Sequence, residues 1–295
     1  MILLIGASGF IGRHIYRLCR QNSIAVTGTS TGDRDAEGFI KFRMGEDNPC
    51  DLSGVFDGSG YNNAVIIAGA ITSLDECCRD EKKSNLVNVY GTKQIIDFFN
   101  DRGIKTVFLS SDCVFDGKSG GYTENSPTSP LCVYGRQKAE IEKYILSNGA
   151  DNLVFRLSKQ YDTAADNRHL LSDLYQSAMS GKVRCIDGLK FNPTYVEDTA
   201  RCILKGIEKN LSGVYNLAAP ESYTRYDIAD FFVKELGTGK VVITNEPLEN
   251  FNFNEERALD MSMDTGKIQA ALGHEFCDIK SGIKKFVSNL NQAGR

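Results

Sequence analysis

The sequence predicts an α/β chain built on a doubly wound parallel sheet, with a second, smaller α/β lobe drawn from its C-terminal half. Three observations carry this. Short, largely apolar runs alternate with helix-period patterns from residue 2 to residue 157, as strands covered on both faces by helices require. The first run breaks at the glycine-rich stretch Gly6-Ala-Ser-Gly-Phe-Ile-Gly12 and resumes as helix. Beyond Tyr161 the alternation loosens, with no repeat, low-complexity tract or extended linker. The 295 residues suffice for a main domain over 1–160 and a lobe over 161–295, with 193–218 expected to return to the main sheet.

Residues 2–5 read as strand, and Ile15, Leu18 and Cys19 mark the helix after the glycine turn. Residues 24–29 read as a second strand, closing a βαβ unit of about 30 residues, the scale on which a dinucleotide is held. This is the Rossmann arrangement. Gly6, Ser8, Gly9, Phe10, Ile11 and Gly12 are its candidate phosphate-binding residues, because close backbone approach and a helix's positive end both favour a pyrophosphate. Glycines at this density also mark plain turns, but strand before, helix after and strand again favour the nucleotide site. The second strand runs into Gly28-Thr29-Ser30-Thr31 with no acid before Asp33. A carboxylate at that tip would bind the ribose hydroxyls of NAD and repel the extra phosphate of NADP. Ser30 with Arg34 therefore favours NADP(H), and Asp33 and Asp35 beside Arg34 keep NAD(H) as the alternative.

Asp51-Leu52 either closes a third strand region beside the adenine or forms a plain turn, and the sequence favours neither. Residues 64–70 form a continuous apolar strand ending in Ala68-Gly69-Ala70, small enough for backbone to lie against the nicotinamide ribose. Residues 84–99 are helical by period, with Asn88 among the apolar positions. An asparagine there either makes a local helix bond or holds a water near the reacting groups. Residues 107–109 and 153–157 continue the alternation, and Ser110-Ser111-Asp112 and Arg156-Leu157-Ser158 occupy the strand ends where such sheets bind ligands. Downstream, 170–179, 226–236 and a last segment from 281 read as helices. Residues 183–186, 214–217 and 241–244 read as strands, with a helix ending near 207.

Composition narrows the partners. A formal charge of −4 with 24% charged residues and no basic block points to small molecules rather than nucleic acid or anionic membrane. The longest apolar run, 64–71, is too short to span a bilayer, and 1–5 lacks a charged n-region and cleavage site. A cytoplasmic protein that begins as structure is expected. Nine cysteines show no C-x-x-C or zinc-type spacing, so no metal site is expected and the thiols read as reduced.

The chemistry centres on Ser111, Tyr134 and Lys138. Tyr134 and Lys138 share one face if their segment is helical, as its composition suggests. One Y-x-x-x-K is expected by chance among twelve tyrosines, so its weight comes from following a strand-end serine and a nucleotide turn. A free phenol has a pKa near 10 and needs a neighbouring cation to act. Lys138 supplies one and can also bond the nicotinamide ribose. Ser111 would polarise a carbonyl and Tyr134 would give its oxygen a proton.

Several stretches in order then resemble one known group. They are the glycines of the first turn, 87–92 (Val-Asn-Val-Tyr-Gly-Thr), 110–117 (Ser-Ser-Asp-Cys-Val-Phe-Asp-Gly), 134–138, 193–198, 213–218 and 259–267. The chain resembles an extended short-chain dehydrogenase/reductase over nearly all its length, and within that superfamily it is most similar to the dTDP-4-dehydrorhamnose reductase family. The resemblance implies NAD(P)H-dependent reduction of the 4-keto group of a nucleotide-linked 6-deoxysugar, in deoxysugar and polysaccharide biosynthesis. It implies Ser111, Tyr134 and Lys138 as the catalytic set, Asn88 as an active-site helper, and a substrate-binding C-terminal lobe; a homodimer is left open. Asp112, Cys113, Lys159 and Arg257 fall on the substrate side. Cys113 stands where an aromatic is usual and Lys159 where a tryptophan often is. Arg257 precedes Ala258 rather than proline, and the chain has no tryptophan, so the rhamnose precursor itself is in question. Cys113 in place of a glutamate argues against a 4,6-dehydratase, and Asp112 argues against a 4-epimerase. A regulatory nucleotide-binding subunit, like that of methionine adenosyltransferase, is the non-catalytic alternative.

Overall fold

The computed structural model describes residues 1–32, 38–56, 63–148, 151–165, 169–237 and 239–293. Seven strands make its main sheet: β1 (Ile2–Ile5), β2 (Val26–Ser30), β3 (Ile40–Lys41), β4 (Ala64–Ile67), β5 (Lys105–Ser111), β6 (Leu153–Leu157) and β7 (Gly213–Leu217). In space they run β7-β6-β5-β4-β1-β2-β3, every pair parallel. The strand order reverses between β1 and β4, so their carboxyl ends open a crevice there. The chain is thus a doubly wound parallel α/β fold of the Rossmann type.

The helices are α1 (Phe10–Gln21), α2 (Thr92–Asn100), α3 (Val133–Ser147), α4 (Leu170–Met179), α5 (Val196–Glu208), α6 (Arg225–Leu236), α7 (Gly266–Leu272) and α8 (Ile279–Ala293), with shorter helical turns between. Strand β1 shows why its run is apolar at every position. Ile2 and Leu4 pack on one side with Ile15, Leu18 and Ile203, while Leu3 and Ile5 pack on the other with Ile95, Phe99 and Ile141. A sheet covered on both faces leaves no solvent side for polar residues. A separate core lies in the C-terminal half, where Leu170, Leu174, Val183, Phe232 and Phe286 gather around the parallel pair Lys182–Ile186 and Val242–Glu246. The chain then re-enters the main sheet as β7, in register with β6 from Gly213 opposite Leu153 to Leu217 opposite Leu157. No helix among the described residues is long and apolar enough to cross a membrane.

Four local readings are corrected. Asp51-Leu52 is not strand: Pro49 starts a tight helical turn, Pro49–Val55, and Asn48 Oδ1 accepts the Cys50 N–H at 3.0 Å. The third strand is the two-residue β3. The run over 64–70 stops as strand at Ile67, leaving Ala68-Gly69-Ala70 outside the sheet. The helix over 84–99 is interrupted by a wide π turn, Leu86–Gly91, which carries Asn88 on its buried side. Helix α7 escapes the periodic reading because only Ile268 and Leu272 on it are buried.

The two cores are tied at His14 on α1, which is 2% exposed. Its Nδ1 is 3.0 Å from Glu197 Oε1 on α5, and its Nε2 is 3.1 Å from Asp162 Oδ2. Arg17 also reaches Glu197. Burial pushes the imidazole pKa down, but the bonds to Asp162 and Glu197 outweigh it and hold the pKa above its ordinary value. The charged ring therefore stabilises the fold fully below pH of about 6.5, and that contribution is lost as pH rises through the raised value. In thermal unfolding, His14→Gln should show its largest deficit against the parent at pH of about 6, shrinking toward alkaline pH. A deficit independent of pH would rule out the charged pairing.

Candidate active site

The crevice between β1 and β4 begins with backbone lying against backbone. Gly6 sits at φ +82°, and a Cβ there would lie 2.6 Å from Gly69 Cα. A Cβ on Gly12 would enter the Gly6 carbonyl. The Gly6 N–H donates to Thr29 Oγ1 at 3.1 Å, which ties the turn to the tip of β2. Helix α1 opens after Gly9 with no side-chain cap and no acidic residue in its first turn, so its positive end is not neutralised by its own side chains.

Ser8 and Gly9 are exposed, and Phe10 and Ile11 are half-buried. The Phe10 ring stacks on His169, centroids 5.7 Å apart, so it also links the turn to the second core. Ser30 is 5% exposed and its Oγ has no hydrogen-bond partner among the described residues. An orphan buried hydroxyl at the tip of β2, beside an uncapped helix start, is what a dinucleotide's ribose and pyrophosphate would satisfy. Ala68, Gly69 and Ala70 are half-buried at the crevice, and Asp51 is exposed. Leu52 is corrected: its side chain is fully buried with Leu3, Phe42 and Phe99 and cannot line an adenine pocket. Arg34 lies outside the described residues.

The reacting groups stand at the tip of β5 and the start of α3. Tyr134 and Lys138 lie one turn apart on α3. The Tyr134 phenol is 8% exposed and makes no hydrogen bond among the described residues. Burial, then the neighbouring Cys113 and Asp112, push its pKa well above the usual value. Lys138 Nζ donates to the Leu109 carbonyl at 2.8 Å and sits 5.5 Å from the Tyr134 ring centroid. Burial brings its pKa down to about 8, opposed by Glu142 one turn on. Ser111 Oγ donates to Asp112 Oδ1 at 3.0 Å and accepts the Cys113 N–H at 3.2 Å. Burial holds the Asp112 carboxyl above the usual carboxylate range. Hydroxyl, phenol and ammonium therefore share one buried corner.

Two supporting networks were not anticipated. Ser110 turns away from the cleft and donates to Glu142 Oε1 at 2.5 Å. Arg156 binds Glu142 bidentately, with Nη2 to Oε2 at 2.7 Å, and both side chains are 5% exposed. The spacing of Glu142 from Lys138 could have flagged it; nothing in the sequence flags Arg156 as its partner. Asn88 forms the second network. Its Oδ1 accepts the Ile71 N–H at 2.8 Å, and its Nδ2 donates to the Ile71 carbonyl at 2.9 Å and to Gln137 Oε1 at 2.8 Å. The Asn88 amide is not spent on a local helix bond. The amide instead clamps the segment after β4 to α3 beside Lys138, which makes Asn88 a positioning residue.

On the substrate side, Cys113 is half-buried and Lys159 is exposed. Arg257 is not a free surface cation. Its Nη2 pairs with Asp75 at 2.5 Å, its guanidinium packs 4.6 Å from the Phe253 ring centroid, and its Nη1 is buried with no hydrogen-bond partner among the described residues. Nearby Glu255, absent from the sequence-based set, accepts the Val133 N–H through Oε2 at 2.7 Å at the first residue of α3, next to Tyr134. No group of three or more His, Cys, Asp or Glu among the described residues could hold a metal ion.

Comparison with known proteins covers the whole of this architecture. The family described as "RmlD substrate binding domain" matches residues 1–292. The dTDP-4-dehydrorhamnose reductase of Aggregatibacter actinomycetemcomitans is 26% identical over 297 residues, spanning 96% of this chain and 97% of that one. The methionine adenosyltransferase 2 subunit beta of Xenopus tropicalis is 28% identical over 235 residues, 77% of this chain and 69% of that one. The crystal structure of dTDP-4-dehydrorhamnose reductase from Bacillus anthracis in complex with NADP superposes with a TM-score of 0.84 at 17% identity, covering 98% of each chain.

Proposed function

This chain belongs to the RmlD substrate binding domain family, and from that premise we propose that it is an NAD(P)H-dependent reductase of a nucleotide-linked 4-keto-6-deoxysugar. The observation that carries the reading is an unbonded Tyr134 phenol one helical turn from the buried Lys138 ammonium, beside Ser111 at a strand tip. When bound, the nicotinamide supplies hydride to the carbonyl carbon. Ser111 hydrogen-bonds the carbonyl oxygen, and Tyr134 delivers a proton to it as charge develops. The Lys138 cation favours the departing proton's loss from the phenol. Asn88 keeps Gln137 and the crevice wall in place, while Asp112, Cys113, Lys159 and Arg257 face the sugar nucleotide. Gly6, Ser8, Gly9, Phe10, Ile11, Gly12, Ser30, Asp51, the Leu52 backbone and the 68–70 segment would hold the cofactor. The orphan Ser30 hydroxyl at an acid-free strand tip supports NADP(H) over NAD(H).

Lys138 sets the pH dependence. With a pKa of about 8 it is charged at neutral pH, so kcat should be level there and fall about tenfold per pH unit above pKa. Tyr134, shifted upward, remains a proton donor throughout. The buried ammonium costs stability below about pH 8, and the cost is relieved toward the free lysine value of about 10.4. A rate that rises through this range would exclude the assigned cation.

The direct test mixes protein with NADPH or NADH and a panel of dTDP-, GDP- and UDP-4-keto-6-deoxysugars, following loss of reduced cofactor. Oxidation with at least one member is expected. Similarity to a methionine adenosyltransferase subunit favours one competing reading, a regulatory subunit that binds NADP(H) without turnover. Cofactor binding with silence across the panel would select it.

A further inference from the structure

The first N–H groups of a helix have no partner inside it, and α3 meets that need in an unusual way. Its N-cap is Cys132, whose Sγ accepts the Gly135 N–H at 3.4 Å. A thiol sulfur is a poorer acceptor than the oxygen of Ser, Thr, Asp or Asn. The strong acceptor comes from 122 residues away, where Glu255 Oε2 takes the Val133 N–H at 2.7 Å. On the same turn a Cβ on Gly135 would lie 2.1 Å from the Cys113 carbonyl oxygen, so the turn after β5 abuts it directly. Tyr134 is the residue between Val133 and Gly135.

Glu255 belongs to a segment fastened at both ends. Toward the second core, Arg184 Nη2 donates to the Asn250 carbonyl at 3.0 Å, and its guanidinium lies 4.5 Å from the Phe251 ring centroid. Toward the crevice, Arg257 pairs with Asp75. Glu255 itself is poorly satisfied. Its side chain is 9% exposed, and Arg136, 52% exposed, reaches Oε2 only at 3.9 Å. Its Oε1 is buried with no hydrogen-bond partner among the described residues. A half-satisfied buried carboxylate costs stability, so stability alone does not account for this residue.

We propose that Glu255 is a positioning residue for Tyr134: it holds the first turn of α3 against the turn after β5 and so fixes where the phenol stands relative to Ser111. Its effect on rate rests on the reductase reading, and its effect on the place of Tyr134 does not. Glu255 acts through the Val133 N–H, so what it alters is the alignment of proton donor and carbonyl oxygen, on which rate depends steeply.

The test uses the full chain and two substitutions. Glu255→Gln keeps an oxygen for the Val133 N–H, and Glu255→Ala removes it. In protein labelled with 3-fluorotyrosine, the Tyr134 fluorine resonance is assigned by its loss in Tyr134→Phe. Without substrate, that resonance should move in Glu255→Ala and keep the parent position in Glu255→Gln. With a 4-keto sugar nucleotide that the parent reduces, Glu255→Ala should lose about ten- to a hundredfold in kcat. KM and NADPH affinity should stay within about twofold of the parent, and Glu255→Gln should keep kcat within about threefold. A merely structural glutamate would instead lower the melting temperature and leave kcat per folded molecule intact. The proposal is overturned by a Tyr134 resonance that stays in place in Glu255→Ala, by Glu255→Gln failing as badly as Glu255→Ala, or by a loss confined to KM. A parent that reduces no member of the panel ends the reductase reading alone, and the resonance still decides the proposal.

Discussion

Tyr134→Phe is expected to lower kcat by about two to four orders of magnitude, the share a positioned general acid contributes, with NADPH affinity unchanged. The phenol oxygen is the one atom removed, and it makes no hydrogen bond among the described residues, so no wall of the crevice loses a partner. The ring itself stays packed with Cys77 and Val133. A structural tyrosine would show the opposite pattern, a drop in thermal stability with turnover of the remaining folded protein intact. Measuring kcat, cofactor binding by fluorescence and melting temperature on one preparation separates the two. Unchanged turnover of a 4-keto sugar nucleotide would remove Tyr134 from the chemistry.

The largest expected loss of stability lies behind the reacting groups. Arg156→Met leaves Glu142 buried with Ser110 as its one remaining hydrogen-bond partner among the described residues, and stranding one half of a buried ion pair typically costs about 3–5 kcal/mol. Joining it to Glu142→Leu should recover most of that loss, because an apolar pair of similar volume needs no compensating charge. The Glu124 carbonyl still loses the donor it has in Arg156 Nη1, and Ser110 loses its acceptor, a residual cost of about 1 kcal/mol each. Urea unfolding of the two variants reads both numbers. A single-variant loss below about 1 kcal/mol would mean that water reaches Glu142 and that the pair is not a buried one.

Much of this was legible in the chain itself because the signals are local. Leu153–Leu157 is apolar but for Arg156, and Leu170–Met179 carries its own helical period. Tyr134 and Lys138 needed only a helix between them to share a face. The short elements were not legible. Ile40–Lys41 is two residues long and is a strand solely because β2 offers it a free edge. The π turn at Leu86–Gly91 has the same apolar spacing as ordinary helix and shows itself only in where Asn88 ends up. The burial of the Leu52 side chain was not legible, because a leucine after an aspartate reads alike whether it borders a nucleotide or fills a core.

By itself the sequence determined the alternating α/β order, the glycine turn and the residue types for proton transfer, since these depend on neighbours within a turn or two. Folding decided the partners. The Glu142–Arg156 pair, the Asn88–Ile71–Gln137 clamp and the His14 tie join residues far apart in the chain. Such pairings cost loop-closure entropy and desolvation that only the assembled core repays, so no window of sequence contains them.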